Sequence, residues 1–98
     1  MSKYDVVRSR AGTLLVICQA EHIDVLRTRF VIPLVDIDRL PTPLDRLNPQ
    51  FEINGKLLSF APQLAATVHE AECSDYVGTL AAHDYEITKA IDTLLTEV

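Results

Sequence analysis

Apolar and polar positions alternate most cleanly along Gln50-Phe51-Glu52-Ile53-Asn54-Gly55-Lys56-Leu57-Leu58-Ser59-Phe60. Phe51 and Ile53 interleave with Gln50 and Glu52, the period of two that gives a strand one buried and one wet face. Asn54 and Gly55 both accept positive φ, as a type I′ turn demands, so this stretch predicts a hairpin that Pro62 ends. Upstream, Thr13-Leu14-Leu15-Val16-Ile17-Cys18-Gln19 is apolar without alternation, as expected of a strand buried on both faces. Tyr4-Asp5-Val6-Val7-Arg8 forms a shorter candidate strand before the turn Ser9-Arg10-Ala11-Gly12. A third strand reads from Arg29 to Pro33, and because proline has no N–H to donate, regular pairing is expected to stop or bend near Pro33. Leu64-Ala65-Ala66-Thr67-Val68 is a weaker strand whose alanines would also suit a helix.

The period changes at the end of the chain. Ile87, Ala90, Ile91, Leu94, Leu95 and Val98 follow the spacing of one helix face, which predicts an amphipathic closing helix with its stripe on the core. Asp84 and Glu86 fall in the opening turns, where carboxylates favour the positive end of the helix dipole; Glu97 sits at the opposite end, a cost of about a few tenths of a kcal/mol. Glu21-His22-Ile23-Asp24-Val25-Leu26 reads as a loop or short turn. Pro41, Pro43 and Pro49 exclude a regular helix or central strand between Leu40 and Pro49. The pattern adds up to a mainly β chain, a small antiparallel barrel-like sheet closed by one C-terminal helix.

Composition narrows this picture. The 98 residues make a single domain, 1–98, and a 48% hydrophobic, 23% charged composition marks it as globular. A domain of this size buries a modest share of its unfolded surface, which favours association. No apolar run approaches the roughly 18 residues needed to span a membrane, and Met1-Ser2-Lys3-Tyr4-Asp5 lacks an apolar signal core, so a cytoplasmic chain without membrane contact is expected. The net charge of −5, with nine scattered Lys and Arg, counts against direct nucleic-acid binding. The densest basic cluster, Arg8, Arg10, Arg27 and Arg29, reads as a solvated rim of strand ends. Cys18 and Cys73 have no CxxC spacing and read as free thiols. His22, His69 and His83 show no ligand spacing, so no metal or other cofactor is expected. His69-Glu70-Ala71-Glu72 reads as a solvated polar turn. No nucleophile–base pair stands out, and with three glycines there is no phosphate-cradling loop.

Three segments carry a resemblance: Leu15-Val16 through Asp24, then Arg29-Phe30-Val31-Ile32-Pro33-Leu34, then Ile87-Thr88-Lys89-Ala90-Ile91-Asp92. In order, spacing and chain length the sequence resembles the CcdB family of bacterial toxins. The resemblance implies an SH3-like barrel shared with the MazF type, with a small added sheet and a C-terminal helix, assembled as a homodimer. It also implies a non-enzymatic toxin of a type II toxin–antitoxin module that binds the A subunit of DNA gyrase, traps cleaved DNA, and is neutralised by a CcdA-like antitoxin with operon control. Carried onto this chain, the gyrase contact maps to His22 and Ile23, where the family has an Ile-Ile pair, and to the helix end at Asp92, Leu95, Thr96, Glu97 and Val98. The family's terminal Trp-Gly-Ile reads Thr96-Glu97-Val98 here, and losing the tryptophan removes a hot-spot residue type of about 2 kcal/mol or more. Two further readings stand beside this one. The chain could be a decayed or retargeted homologue that keeps antitoxin binding and autoregulation. It could instead be a MazF-type ribonuclease using Arg27, Arg29, His22 and Glu21, residues that show no diagnostic spacing.

Overall fold

The computed structural model describes residues 2–20, 26–40 and 44–96. Its strands are β1 (Asp5–Arg8), β2 (Leu14–Ile17), β3 (Thr28–Asp36), β4 (Gln50–Ile53), β5 (Lys56–Phe60), β6 (Ala66–His69) and β7 (Asp75–Thr79), followed by the helix α1 (Asp84–Thr96). All pair antiparallel in the order β4-β5-β3-β2-β1-β7, with β6 also on β3, and the sheet curls into a half-barrel closed by α1. The expected class, an antiparallel barrel-like sheet with one C-terminal helix, is the observed one.

The third strand runs on past Pro33, beyond the expected end, while the expected break in regular pairing at Pro33 falls on one edge alone. β3 runs nine residues, with Pro33 in register opposite Leu15. One edge of β3 pairs β2 at residues 31–34; the other pairs β6 at residues 28–31 and β5 at residues 34–36. Cys18 N–H donates to the Phe30 carbonyl. Because ladder bonds alternate along antiparallel strands, Pro33 turns its nitrogen away from β2, into the gap where β3 changes partner. A missing N–H costs nothing there, and the Pro33 carbonyl still accepts from Ala61 N–H at 3.0 Å.

The unbroken apolar run of β2 is explained by a core on both faces. Val6, Val16, Ile32, Leu34, Phe51, Phe60, Ile87 and Ala90 pack beneath the helix. Their strand neighbours Val7, Leu15, Ile17 and Val31 face the other way and close over Cys73. Adjacent residues on a strand point to opposite faces, so one apolar run fills both cores. The β4–β5 hairpin forms as expected, with Asn54 at φ +52° and Gly55 at φ +84°.

Three further expectations shift. The weak strand moves to Ala66–His69, because Pro62 opens a 3₁₀ turn over Pro62–Leu64. Glu70–Cys73 is also a 3₁₀ turn, with Cys73 buried. β7 was not anticipated: it is a short, mostly exposed strand at the sheet edge with little apolar alternation to give it away.

Candidate functional site

Two places on the molecule present chemistry to solvent, and the first is the free end of α1. Helix entry is set by Phe51, whose ring lies 4.9 Å from that of His83, while His83 Nδ1 is 2.8 Å from Glu86 Oε2. Tyr4, buried with φ +71°, adds a contact at 3.4 Å between its hydroxyl and that of Thr88. Asp84 and Glu86 occupy the first turn as expected from the helix dipole. Ile87 and Ala90 are fully buried and Ile91 is half-buried, but Leu94 is 41% and Leu95 73% exposed. The predicted core stripe therefore docks only through its first half. The last turns are largely open to solvent, with Asp92 and Thr96 exposed and the Thr96 hydroxyl donating to the Asp92 carbonyl at 2.6 Å. Asp92, Leu95 and Thr96 thus share one exposed helix end. His22, Ile23, Glu97 and Val98 lie outside the described residues, as does Glu21.

The second place follows from how the structure divides the basic cluster. Arg27 and Arg29 converge on Glu70 at 3.5 and 3.4 Å, and Arg10 lies 3.7 Å from Glu72. Arg29 is buried and also donates to the carbonyls of Leu26 and Thr28. His69-Glu70-Ala71-Glu72 is therefore more than a solvated turn: its two carboxylates pair with three arginines, Glu70 being shared between Arg27 and Arg29. Arg8 stands apart from them. With Arg39 and Lys56 it lines an open cleft of about 400 Å³, whose wall includes Leu14, Leu34 and Leu58 at the margin of the helix-side core. Lys56 Nζ contacts Asp36 Oδ1 at 2.9 Å. That hydrogen bond, the Lys56 charge and the Arg39 charge hold the Asp36 carboxyl below the usual carboxylate range. Thr13 and Gly12, in the β1–β2 turn, complete the near side. Sequence reasoning missed Asp36, Arg39 and Lys56, because only the pairing of β3 with β5 brings Lys56 beside the other two.

No group of three or more potential metal ligands occurs among the described residues. Both cysteines are free. Burial pushes the Cys18 thiol up to about 12 despite the nearby Lys3 charge, and burial also raises Cys73. Neither is a poised nucleophile, since the thiolate is the reactive form.

Comparison with known proteins adds the context. A family model described as CcdB protein matches residues 3–97. No curated protein sequence matches the chain. Among solved structures, an endoribonuclease from a mycobacterial species superposes with a TM-score of 0.78 at 14% identity, covering 97% of this chain and 90% of that one. An endoribonuclease in complex with its cognate antitoxin, also mycobacterial, reaches 0.80 at 13% identity, covering 100% and 97%. These likenesses establish the shared fold. They also correct the expectation that the chain is not an enzyme: two proteins built on this fold are named endoribonucleases. Among the described residues no helix is long and apolar enough to cross a membrane.

Proposed function

The chain belongs to the CcdB family, and from that premise we propose that it is the toxin of a toxin–antitoxin pair, directed at the A subunit of DNA gyrase and neutralised by a CcdA-like antitoxin. The observation that carries the gyrase reading is the exposed end of α1. A helix that buries Ile87 and Ala90 but leaves Leu94 and Leu95 in water offers apolar side chains on a rigid element, the form in which helices dock into partner grooves. Asp92 and Thr96 flank those leucines and supply a polar rim. In this reading the toxin works as a homodimer, since a domain this small gains stability by association. The test is plasmid cleavage by gyrase from the source organism with ATP and purified toxin. Linear DNA after detergent and protease treatment, lost on Leu95→Ala, supports it. No linear DNA from a folded protein that still binds its antitoxin points to a retargeted homologue.

A second reading, endoribonuclease activity, is favoured by the Arg8–Arg39–Lys56 cleft together with the named activity of the two structural neighbours. Guanidinium groups are suited to the charge that builds on a phosphate during cleavage. Incubation of purified protein with single-stranded RNA distinguishes the two readings: cleavage products that vanish on Arg8→Gln support the second.

A further inference from the structure

We infer that the solvent-facing stripe of α1 is a self-association surface, on which the helix of a second copy docks antiparallel and covers Leu95, withholding the helix end from other partners. The withholding rests on the gyrase reading; the surface itself rests on spacing, exposure and charge.

At the helical period, Tyr85, Thr88, Lys89, Asp92, Leu95 and Thr96 take the i, i+3, i+4, i+7, i+10 and i+11 positions of one face. All are exposed, and their face lies well away from that of Ile87 and Ala90, which the core holds. Tyr85 and Leu95, each 73% exposed, are the most exposed large apolar side chains among the described residues. At the helical rise they stand about 15 Å apart, one near each end of α1. Between them lie one cation and one anion, Lys89 and Asp92. These are a turn apart, yet no ion pair joins them, and neither side chain has another partner among the described residues.

The order of these residues is its own complement. Reversing the helix about the point between Ala90 and Ile91 sets Lys89 against Asp92, and Tyr85 against Thr96 and its neighbour Leu95. A two-fold axis repeats each contact, so one antiparallel crossing pairs both charges of both copies and covers both exposed apolar ends. A parallel crossing would oppose Lys89 to Lys89 and Asp92 to Asp92, and would align the helix dipoles. The apolar contacts supply the drive, since exposed ion pairs add little; the charges fix the direction. A purely basic or purely acidic foreign helix satisfies one member of the charge pair, whereas a second copy satisfies both. With 13 residues, α1 is about 20 Å long, so the contact is smaller than the roughly 1,000 Å² of a stable interface. Association is therefore weak and set by protein concentration.

Sedimentation of the intact chain across a concentration series tests this, with thermal melts confirming that each variant folds. The homodimer invoked above must leave Leu95 free, so it persists in every variant, and the α1 contact appears as growth beyond it. The wild type is expected to show that growth. Lys89→Asp and Asp92→Lys, each measured alone, should weaken it by at least about tenfold, because each opposes like charges across the crossing. An equimolar mixture of the two variants should regain it, since each copy then faces the charge it lacks. No growth in the wild type, growth untouched by either variant, or a mixture that fails to regain it would each overturn the inference. At high toxin concentration, plasmid cleavage by gyrase with Lys89→Asp should at least equal that with the wild type; weaker cleavage would overturn the withholding. Association regained by the mixture, from a wild type that never provokes plasmid cleavage, would support the surface and refute the gyrase reading. Plasmid cleavage lost on Leu95→Ala, from a wild type that does not self-associate through α1, would do the reverse.

Discussion

Arg29 on β3 and Glu70 in the turn after β6 form an ion pair at 3.4 Å across 41 residues of sequence. The arginine side chain is only 10% exposed, the glutamate 37%. Glu70 also draws in Arg27, so a segment that reads as a basic rim is an ion-paired seam tying β3 to the turn that contains Cys73. Arg29 cannot easily turn to water, whereas Arg10 can. Removing the carboxylate should therefore matter at one pair and hardly at the other. Glu70→Gln should lower stability by about 1 kcal/mol, a fall in Tm of about 4–8 °C for a chain of this size. Glu72→Gln, beside exposed Arg10, should stay within about 0.5 kcal/mol. Urea unfolding of the two variants checks both.

The hairpin turn gives a backbone prediction free of packing effects. A Cβ at Gly55 would meet nothing within 4 Å, so Gly55→Ala acts only through its φ of +84° and should cost about 1 kcal/mol. Gly78 has equal space and no positive φ. Gly78→Ala should be neutral or stabilising by up to about 1 kcal/mol, because alanine restricts the unfolded chain. Thermal melts of the two variants measure the contrast.

Along α1, stability and function should separate. Ile87→Ala opens a cavity in the helix-side core and should cost about 2–5 kcal/mol. Leu95→Ala, at a position 73% exposed, should change stability by less than about 0.5 kcal/mol while reducing toxicity in cells. Growth on induced expression, set beside chemical denaturation, reads the two effects independently.

The Lys56–Asp36 pair predicts a pH dependence with a definite sign. Lys56 holds the Asp36 carboxyl below its ordinary value of about 3.9. The folded state therefore binds fewer protons than the unfolded state just below that pH. The pair's contribution is whole above about pH 4 and is lost as pH falls through the lowered value. Lys56→Gln should be slightly less stable than wild type at pH 7, with the difference vanishing in strong acid. Denaturation midpoints of both proteins between pH 7 and 2 would show the convergence.

The two thiols move the other way. Cys18 stays protonated up to about 12 in the fold, against an unfolded value of about 8.5. Its contribution is whole below that lower value and drains away as pH climbs toward 12. At pH 8 neither Cys18 nor Cys73 should react appreciably with a disulfide reagent until denaturant is added. Fast labelling of the native protein would overturn the assignment of both as packing residues.

The elements legible in the sequence were those whose signal is local. Asn54-Gly55 and the alternation around Phe51 specify the hairpin, because turn geometry and a period of two depend only on neighbouring residues. The spacing of Ile87, Ala90 and Ile91 specifies a helix for the same reason. The family resemblance, drawn from Leu15 through Asp24, Arg29 through Leu34 and the closing helix, matched the family that covers residues 3–97.

Tertiary structure alone decided the rest, because burial and partners belong to the assembled surface. Pro33 looks like a strand breaker until β3 is seen to exchange β6 for β5 at that point. Leu94 and Leu95 continue an apolar stripe in sequence, yet the fold leaves them exposed while Ile87 and Ala90 are buried. Arg8 and Arg10 are near neighbours in the chain, but Glu72 neutralises Arg10 while Arg8 joins Arg39 and Lys56 in a cleft. Periodicity can assign a residue to a face. Whether that face meets a core, a carboxylate or open solvent depends on segments dozens of residues away, brought together only by the fold.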